Sequence, residues 1–472
     1  MGIPNSFTPP GVYVNVTVNE SSSNDNTFNV LVIGEASPTS AYANNPELYA
    51  VSTLTQLASD FGKDSDVYKI IKQYRTIDIS TSIYALNCIK TNTNETTSNG
   101  NIVSINSILT TETQATDMAG KAIAATGGTG TGASFDVTST TNANSTAFDP
   151  ASVTISSAGV GYKIGDKLTI PNVGTITVTG VDSETVSVPQ TDLVIIENAL
   201  SNIGNMEFDI ITGSYNSADA IEALDNYFTG TWGFAEELYG HYITIYQQNN
   251  ITQAIKDAGN FNKETCTAII IPTDIDSLTT LGSAVSQIAL RTQENPSLPL
   301  RSFSLDVGTI SIANRWDIAT RNTLFANGFS TIVCDTAGNP TLERTRIGAT
   351  VDNTGIALSD TTLETRFQAV YCAKMVRTGL ASYTSNPRII MNDDDVVTPS
   401  PYIVTPRAIR GTCIALYQRL ISALVATDIT TFKKNLQVSI DSSVPGRINV
   451  TYPITLASGL NQITINLFVR KS

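Results

Sequence analysis

The chain has 472 residues, room for about three domains, and is 41% apolar but only 15% charged, below the roughly 25% of an ordinary soluble domain. It has no run of 18 uncharged apolar residues of the kind a membrane-spanning helix needs. Lys and Arg number 28 against 42 Asp and Glu; the resulting charge of −14 argues against wholesale binding to nucleic acid or an anionic membrane, and a single His removes most histidine-based chemistry.

In chain order, the first pattern is Pro9-Pro10-Gly11 followed by Val12, Val14, Val16 and Val18, which alternate with Tyr13, Asn15, Thr17 and Asn19. Strict period-2 alternation of β-branched residues predicts a half-buried strand. Glu20 to Thr27 is polar and reads as a linker, so residues 1–20 form an arm tethered to the body. Residues 29–34 predict a buried strand, 54–62 and 66–74 two helices (the second N-capped by Asp66), and 82–89 another strand. That β-α-β order places residues 21–126 in an α/β unit.

Residues 127–190 change character. The run Gly127-Gly-Thr-Gly-Thr-Gly-Ala133 is followed by short alternating segments at 134–138, 152–156, 167–170 and 174–180, as in a small all-β module inserted into the body. The glycine-rich opening lacks the Lys-Ser/Thr of a phosphate loop, and no helical pattern follows it. From 191 to 344 the α/β pattern resumes. Strands are predicted at 207–211, 241–246, 267–272 and 331–334, and helices at 218–228, 251–259, 278–294 and 316–328. The last ends in Asn327-Gly328, a left-handed cap. Strands alternating with helices imply a mainly parallel sheet with helices on its faces.

Residues 345–472 read as α+β. One helix begins near Asp360, taken as its N-cap, with Leu363, Phe367, Val370, Tyr371 and Lys374 on a face. A second spans 406–426 with an apolar stripe of Cys413, Leu416, Tyr417, Leu420 and Leu424, and residues 430–436 lead on to terminal strands at 447–452 and 462–470. In the last of these Ile463, Ile465, Leu467 and Val469 alternate with polar residues. Both chain ends are thus strand-formers, and a strand without a neighbour is a pairing template. They either fold back on their own domain or add to another subunit. The stretch around Ser442 to Gly446, like that from Glu20 to Thr27, reads as flexible.

Charge divides along the chain. Residues 345–472 carry 13 basic and 8 acidic side chains, a balance of +5, whereas the first 344 carry 15 and 34, a balance of −19. The two parts therefore suit different surroundings. The five cysteines are odd in number and scattered, which reads as reduced thiols in a cytoplasmic setting. The first residues lack the basic and apolar regions of a signal peptide. His241 precedes a strand and no GxSxG elbow accompanies it, so no catalytic residue is assigned. Asp393-Asp394-Asp395 lacks the Gly and Glu of an EF-hand loop and reads as a solvated turn. No metal ligand and no cofactor site is assigned. Trp232 and Trp316 read as core or interface anchors.

Pro10-Gly11-Val12-Tyr13-Val14, a polar gap and then Leu31-Val-Ile-Gly34 resemble the opening of contractile bacteriophage tail sheath proteins. Leu324 to Gly328, Ile332 to Cys334, Leu342-Glu-Arg344, the Pro406-Arg407 helix start and the run from Gly446 to Val469 extend the resemblance, in the Mu-like branch, over residues 1–120 and 191–472. The resemblance implies a structural subunit of the virion, assembled in the host cytoplasm. Such subunits stack as hexameric rings around a tail tube, meet baseplate and terminator proteins at the ends, and contract to drive the tube through the host envelope. It implies that Val12, Val14, Val16, Val18 and Ile463, Ile465, Leu467, Val469 complete sheets in neighbouring copies, that the β insert lies outside, and that residues 345–472 face the tube. Arg419, Lys433 and Lys434 are the candidate tube-facing cations. Neither nucleic acid nor stable membrane insertion is expected. The competing reading is a secreted adhesin or surface-layer protein, suggested by the Thr/Ser/Asn-rich insert.

Overall fold

The computed structural model of the chain describes residues 28–90, 92–97, 100–105, 120–137, 153–171, 174–182, 184–233, 235–352, 354–395 and 400–468. The described residues fall into two compact units, one drawn from Met1–Ile89 and Thr191–Ser472, the other from Lys90–Gln190. The first unit opens with β1 (Asn29–Gly34), β2 (Tyr49–Ala50), α1 (Leu54–Asp60), α2 (Asp66–Ile77) and β3 (Ser82–Asn87). The second unit holds β4 (Asn92–Thr97), β5 (Ile102–Ile105), β6 (Gly120–Ala124), β7 (Thr131–Val137), β8 (Val153–Val160), β9 (Lys167–Ile170), β10 (Gly174–Val181) and β11 (Glu184–Pro189). The chain then returns through α3 (Asp192–Leu200), β12 (Ile210–Gly213), α4 (Ala218–Thr231), β13 (His241–Gln247), α5 (Ile251–Asp257), β14 (Cys266–Ile271), α6 (Ser277–Glu294), β15 (Phe303–Ser304), α7 (Ile318–Ala326), β16 (Phe329–Cys334) and β17 (Pro340–Arg344).

Nine strands form one sheet in the order β15-β17-β16-β14-β13-β12-β1-β3-β2. The six from β16 to β3 run parallel, and β2, β15 and β17 pair antiparallel at the margins. The alternation within β1 explains its position. Val30 and Val32 join a core shared with α1, α2 and α6, while Leu31 and Ile33 join a second core with α3, α4 and α7. A central strand buried on both faces has to be apolar at every position, as residues 30–33 are. Helix α2 packs on α6 where Gly282 admits close approach; a Cβ there would lie 2.4 Å from the Ile70 carbonyl oxygen. Gly328 has φ +105°, the left-handed turn expected after Asn327.

The second unit is all-β, built from two three-stranded sheets, β5-β10-β9 and β6-β7-β8, and the pair β4-β11. Phe135, Tyr162, Leu168, Ile170, Ile176 and Val178 form its core. It takes in residues from Lys90, whereas the patterning placed the insert at 127–190. Asn92-Thr-Asn-Glu-Thr-Thr97 has no apolar alternation to announce a strand; its ladder to β11 is a backbone feature.

The C-terminal part of the first unit comprises α8 (Leu363–Ser385), β18 (Ile389–Ile390), β19 (Ile403–Val404), α9 (Pro406–Ser422), β20 (Ala426–Thr427), α10 (Ile429–Asn435), β21 (Gln437–Ile440), β22 (Ile448–Thr451) and β23 (Thr455–Leu456). Three expectations are corrected here. The N-caps are Ser65 and Thr362 rather than Asp66 and Asp360; the Asp360 carboxylate instead accepts from the amide and hydroxyl of Thr362. Helix α9 stops at Ser422, and Leu424, with φ +61°, is exposed rather than part of the apolar stripe. Residues 442–446 form a tied hairpin turn, since Asp441 accepts from the amides of Ser443 and Val444 and pairs with Arg447 at 2.6 Å.

Candidate functional site

The features with potential for assembly lie in and beside the C-terminal part. Its core is a ring stack: Tyr417 lies flat on Phe432 at 3.8 Å between centroids, and Tyr452 meets Phe432 edge-on at 4.7 Å. The Tyr452 hydroxyl donates to the Cys413 carbonyl at 3.1 Å. Arg410 of α9 donates to the carbonyls of Lys433 and Leu436, so the end of α10 is held by a guanidinium. This leaves Lys433 and Lys434 in the last turn of α10, and Arg419 in the last turn of α9, with exposed side chains.

The terminal segment leaves this core after β23, which pairs with β20 over two residues; the Ala457 amide then donates to the Val425 carbonyl. From 457 to 468 there is no helix or strand, although the patterning predicted one from 462. Ile463, Ile465 and Leu467 are 71%, 79% and 81% exposed, and Phe468 is 90% exposed. Fully burying one such side chain is worth about 1.5–3 kcal/mol, so this segment leaves several kcal/mol ungained in the isolated chain. Its root borders a groove of about 650 Å³ walled by Arg291, Pro299, Arg301, Leu424 and Leu460. There the Arg301 guanidinium donates to the Leu460 carbonyl at 3.1 Å. Close by in sequence, β21 and β22 pair only with each other among the described residues, which leaves two open edges. Val12, Val14, Val16, Val18 and Val469 lie outside the described residues.

Helix α8 joins the two cores. Leu363 and Phe367 pack in the α/β core, and Cys372 packs in the C-terminal one. One face of α8 carries Arg366, Lys374 and Arg377, and it covers the N-terminal edge of the parallel sheet. Arg366 pairs with Glu264 at 3.0 Å, Lys374 with Glu207 at 3.0 Å and Asp209 at 3.2 Å, and Arg377 with Glu237 at 2.7 Å. These carboxylates lie within the four residues before β12, β13 and β14. The Arg366 guanidinium also lies over the Trp232 ring at 4.4 Å. Burial pushes Asp209 and Glu207 up, and the Lys374 ammonium pulls them only partly back. Burial opposes the charge on Lys374, but the two carboxylates outweigh it and raise its pKa. The sequence reading missed this face because its partners lie over 100 residues away.

His241 is buried at the start of β13, with Nε2 2.8 Å from the Thr267 hydroxyl. Trp232 packs on the core beneath α4, and Trp316 borders both cores of the sheet. Asp393 accepts from the Arg407 amide and Asp395 from the Asn392 side chain. Among the described residues no group of three or more His, Cys, Asp and Glu could hold a metal ion, and no helix is long and apolar enough to cross a membrane. The five cysteines are free, four of them buried.

No family model matches the chain. A stretch of 160 residues is 30% identical to the Mu-like prophage FluMu tail sheath protein of Haemophilus influenzae, covering 33% of this chain and 32% of that protein. The match thus spans about a third of the length of the curated relative. In structure, the chain aligns with the contracted helical sheath of the anti-feeding prophage at a TM-score of 0.51 and 9% identity, over 99% of this chain and 100% of the other. The chain has a tail sheath fold and a sequence related to a Mu-like tail sheath protein. A chain of the 6-fold symmetrised anti-feeding prophage baseplate superposes at 0.50 and 8% identity, over 98% of this chain and 100% of that one. The sheath fold therefore extends well beyond the stretch in which sequence likeness survives.

Proposed function

We propose that this protein is the sheath subunit of a contractile tail. Copies stack as hexameric rings around a tail tube, with baseplate and terminator proteins at the ends, and their collective repacking drives the tube through a host envelope. The observations that carry the proposal are the segment 457–468, which forms no helix or strand and exposes its apolar side chains from Ile463 on, and the open-edged β21–β22 hairpin. In the proposed lattice Ile463, Ile465, Leu467 and Val469 of one copy, and Val12, Val14, Val16 and Val18 of another, add strands to a neighbour's hairpin. The sheath fold and the related Mu-like protein support the reading. Arg419, Lys433 and Lys434 are proposed to face an acidic tube wall, because the exposed cations of the basic third of the chain need an opposite surface. The subunit acts through interfaces, with no catalytic step.

The test is electron microscopy of the purified full chain beside variants lacking residues 1–19 or 459–472. The full chain forms long tubes, and each deletion yields discrete folded particles. Tubes of normal length from both deletions would overturn the strand-exchange mechanism; a flat lattice from the full chain would favour a surface-layer role.

A further inference from the structure

A small chamber of about 10 Å³ lies where α8 meets the N-terminal edge of the sheet, walled by Asp209, Trp232, Tyr239, His241, Arg366 and Val370. Its chemistry follows from one proton. The Thr267 hydroxyl lies 2.9 Å from the Arg346 carbonyl and 2.8 Å from His241 Nε2; when its one proton goes to the carbonyl, it accepts from the ring. In that arrangement His241 Nε2 carries the hydrogen and Nδ1 is a bare acceptor. Burial, reinforced by the Arg366 charge, holds the imidazole well below its usual pKa and so neutral. Nδ1 has no hydrogen-bond partner among the described residues. The same holds for Arg366 Nε, a donor on another residue lining the chamber, whose terminal nitrogen already serves Glu264. His241 is 1% exposed and Arg366 4%.

We propose that this chamber is a binding site for one ordered water molecule, which donates to His241 Nδ1 and accepts from Arg366 Nε. The occupant has to donate to one wall and accept from the other. A halide ion cannot donate to Nδ1, and a cation cannot accept from Nε–H. The volume is about that of one water probe, and buried waters with two to four polar partners are a regular part of folded proteins. The water ties the first residue of β13 to α8 at a joint otherwise made of ion pairs.

The single histidine makes the test direct. In a long-range proton–nitrogen NMR spectrum of the 15N-labelled full chain, the only imidazole pair should show a pyrrole-type Nε2 and a pyridine-type Nδ1 moved toward the hydrogen-bonded position, unchanged from pH 5 to 8. A protonated Nδ1, a titration near pH 6.5, or an unshifted Nδ1 would each overturn the proposal. A high-resolution map that resolves other buried waters should show density within hydrogen-bonding distance, about 2.7–3.2 Å, of both nitrogens. An empty chamber in such a map would overturn it too.

Discussion

Replacing Lys374 with Met keeps the length of the side chain and removes its charge. The Lys374 side chain is 7% exposed and its ammonium serves two carboxylates, Glu207 at 3.0 Å and Asp209 at 3.2 Å. Without it Glu207 Oε1 retains the Tyr239 amide at 3.3 Å, and Asp209 keeps the Asn29 amide at 2.9 Å on its other oxygen. Removing one partner of a buried pair leaves an uncompensated charge and costs about 3–5 kcal/mol. The sign of the pH dependence follows. Burial already raises both carboxyl pKa values, and losing the cation raises them further, so the variant is relatively most stable where they are protonated and loses that stability as pH rises through their folded pKa values. Urea unfolding followed by tryptophan fluorescence suits the measurement, because Trp232 and Trp316 both lie in the unit that carries the joint. With a slope of roughly 3 kcal/mol/M, the midpoint at pH 7 falls by about 1–1.7 M. The gap from the unaltered chain narrows at pH 5, and Lys374→Met with Asp209→Asn recovers part of the loss. A loss under about 1 kcal/mol at pH 7, or a gap independent of pH, would refute the account of the joint.

Phe432→Ala removes the ring between Tyr417 and Tyr452 and should destabilise the C-terminal part by about 3–5 kcal/mol, read as early loss of hydrogen-exchange protection in α9 and α10 while the nine-stranded sheet stays protected. Gly348→Ala sets a Cβ 1.8 Å from the Phe261 carbonyl oxygen, so a loss of at least about 1–3 kcal/mol in urea unfolding is expected, and an unchanged midpoint would contradict the packing. Charge reversal of Arg419, Lys433 and Lys434 to Glu should leave monomer stability within about 0.5 kcal/mol, since all three are exposed, while assembly onto tubes falls and its salt dependence weakens. Unchanged tube binding in a co-sedimentation assay would remove these residues from the proposed inner surface.

What could be read from sequence were the elements whose side chains report their surroundings. Residues 30–33 had to be a two-faced strand, and Val67, Ile70, Ile71 and Tyr74 had to be the inner face of a helix; all are buried. Helix α3 was not foreseen, because Leu193, Val194, Ile195 and Ile196 run together with no period of their own. Strand β21 escaped for the opposite reason: Gln437 to Ile440 alternate too briefly to stand out beside the polar turn that follows. Helix caps were misplaced by one or two residues where Asp and Ser or Thr compete for the same amides. The buried ion pairs of α8 were invisible for a different reason. Arg366, Lys374 and Arg377 look like a solvated face until the sheet edge that covers them is built, and that edge comes from residues 207–264.

The two features of the C-terminal part fit together mechanically in the proposed sheath. The α8 joint is buried and held by three sets of ion pairs, so it is costly to open, whereas the hairpin and segment 457–468 would gain from a partner. A two-stranded ribbon is marginal in water, and each added backbone hydrogen bond contributes about 0.5–1.5 kcal/mol net. A strand supplied by a neighbour would add several such bonds and bury side chains that are now 71–90% exposed. One linkage of this kind is modest, but a lattice repeats it at every subunit. Rearrangement would then proceed by turning subunits about their shared strands, and not by parting α8 from the sheet. Lys374→Met separates the two roles: it loosens the joint without touching the strand-forming residues, so tubes that still assemble but come apart at lower urea would locate the weak point inside the subunit.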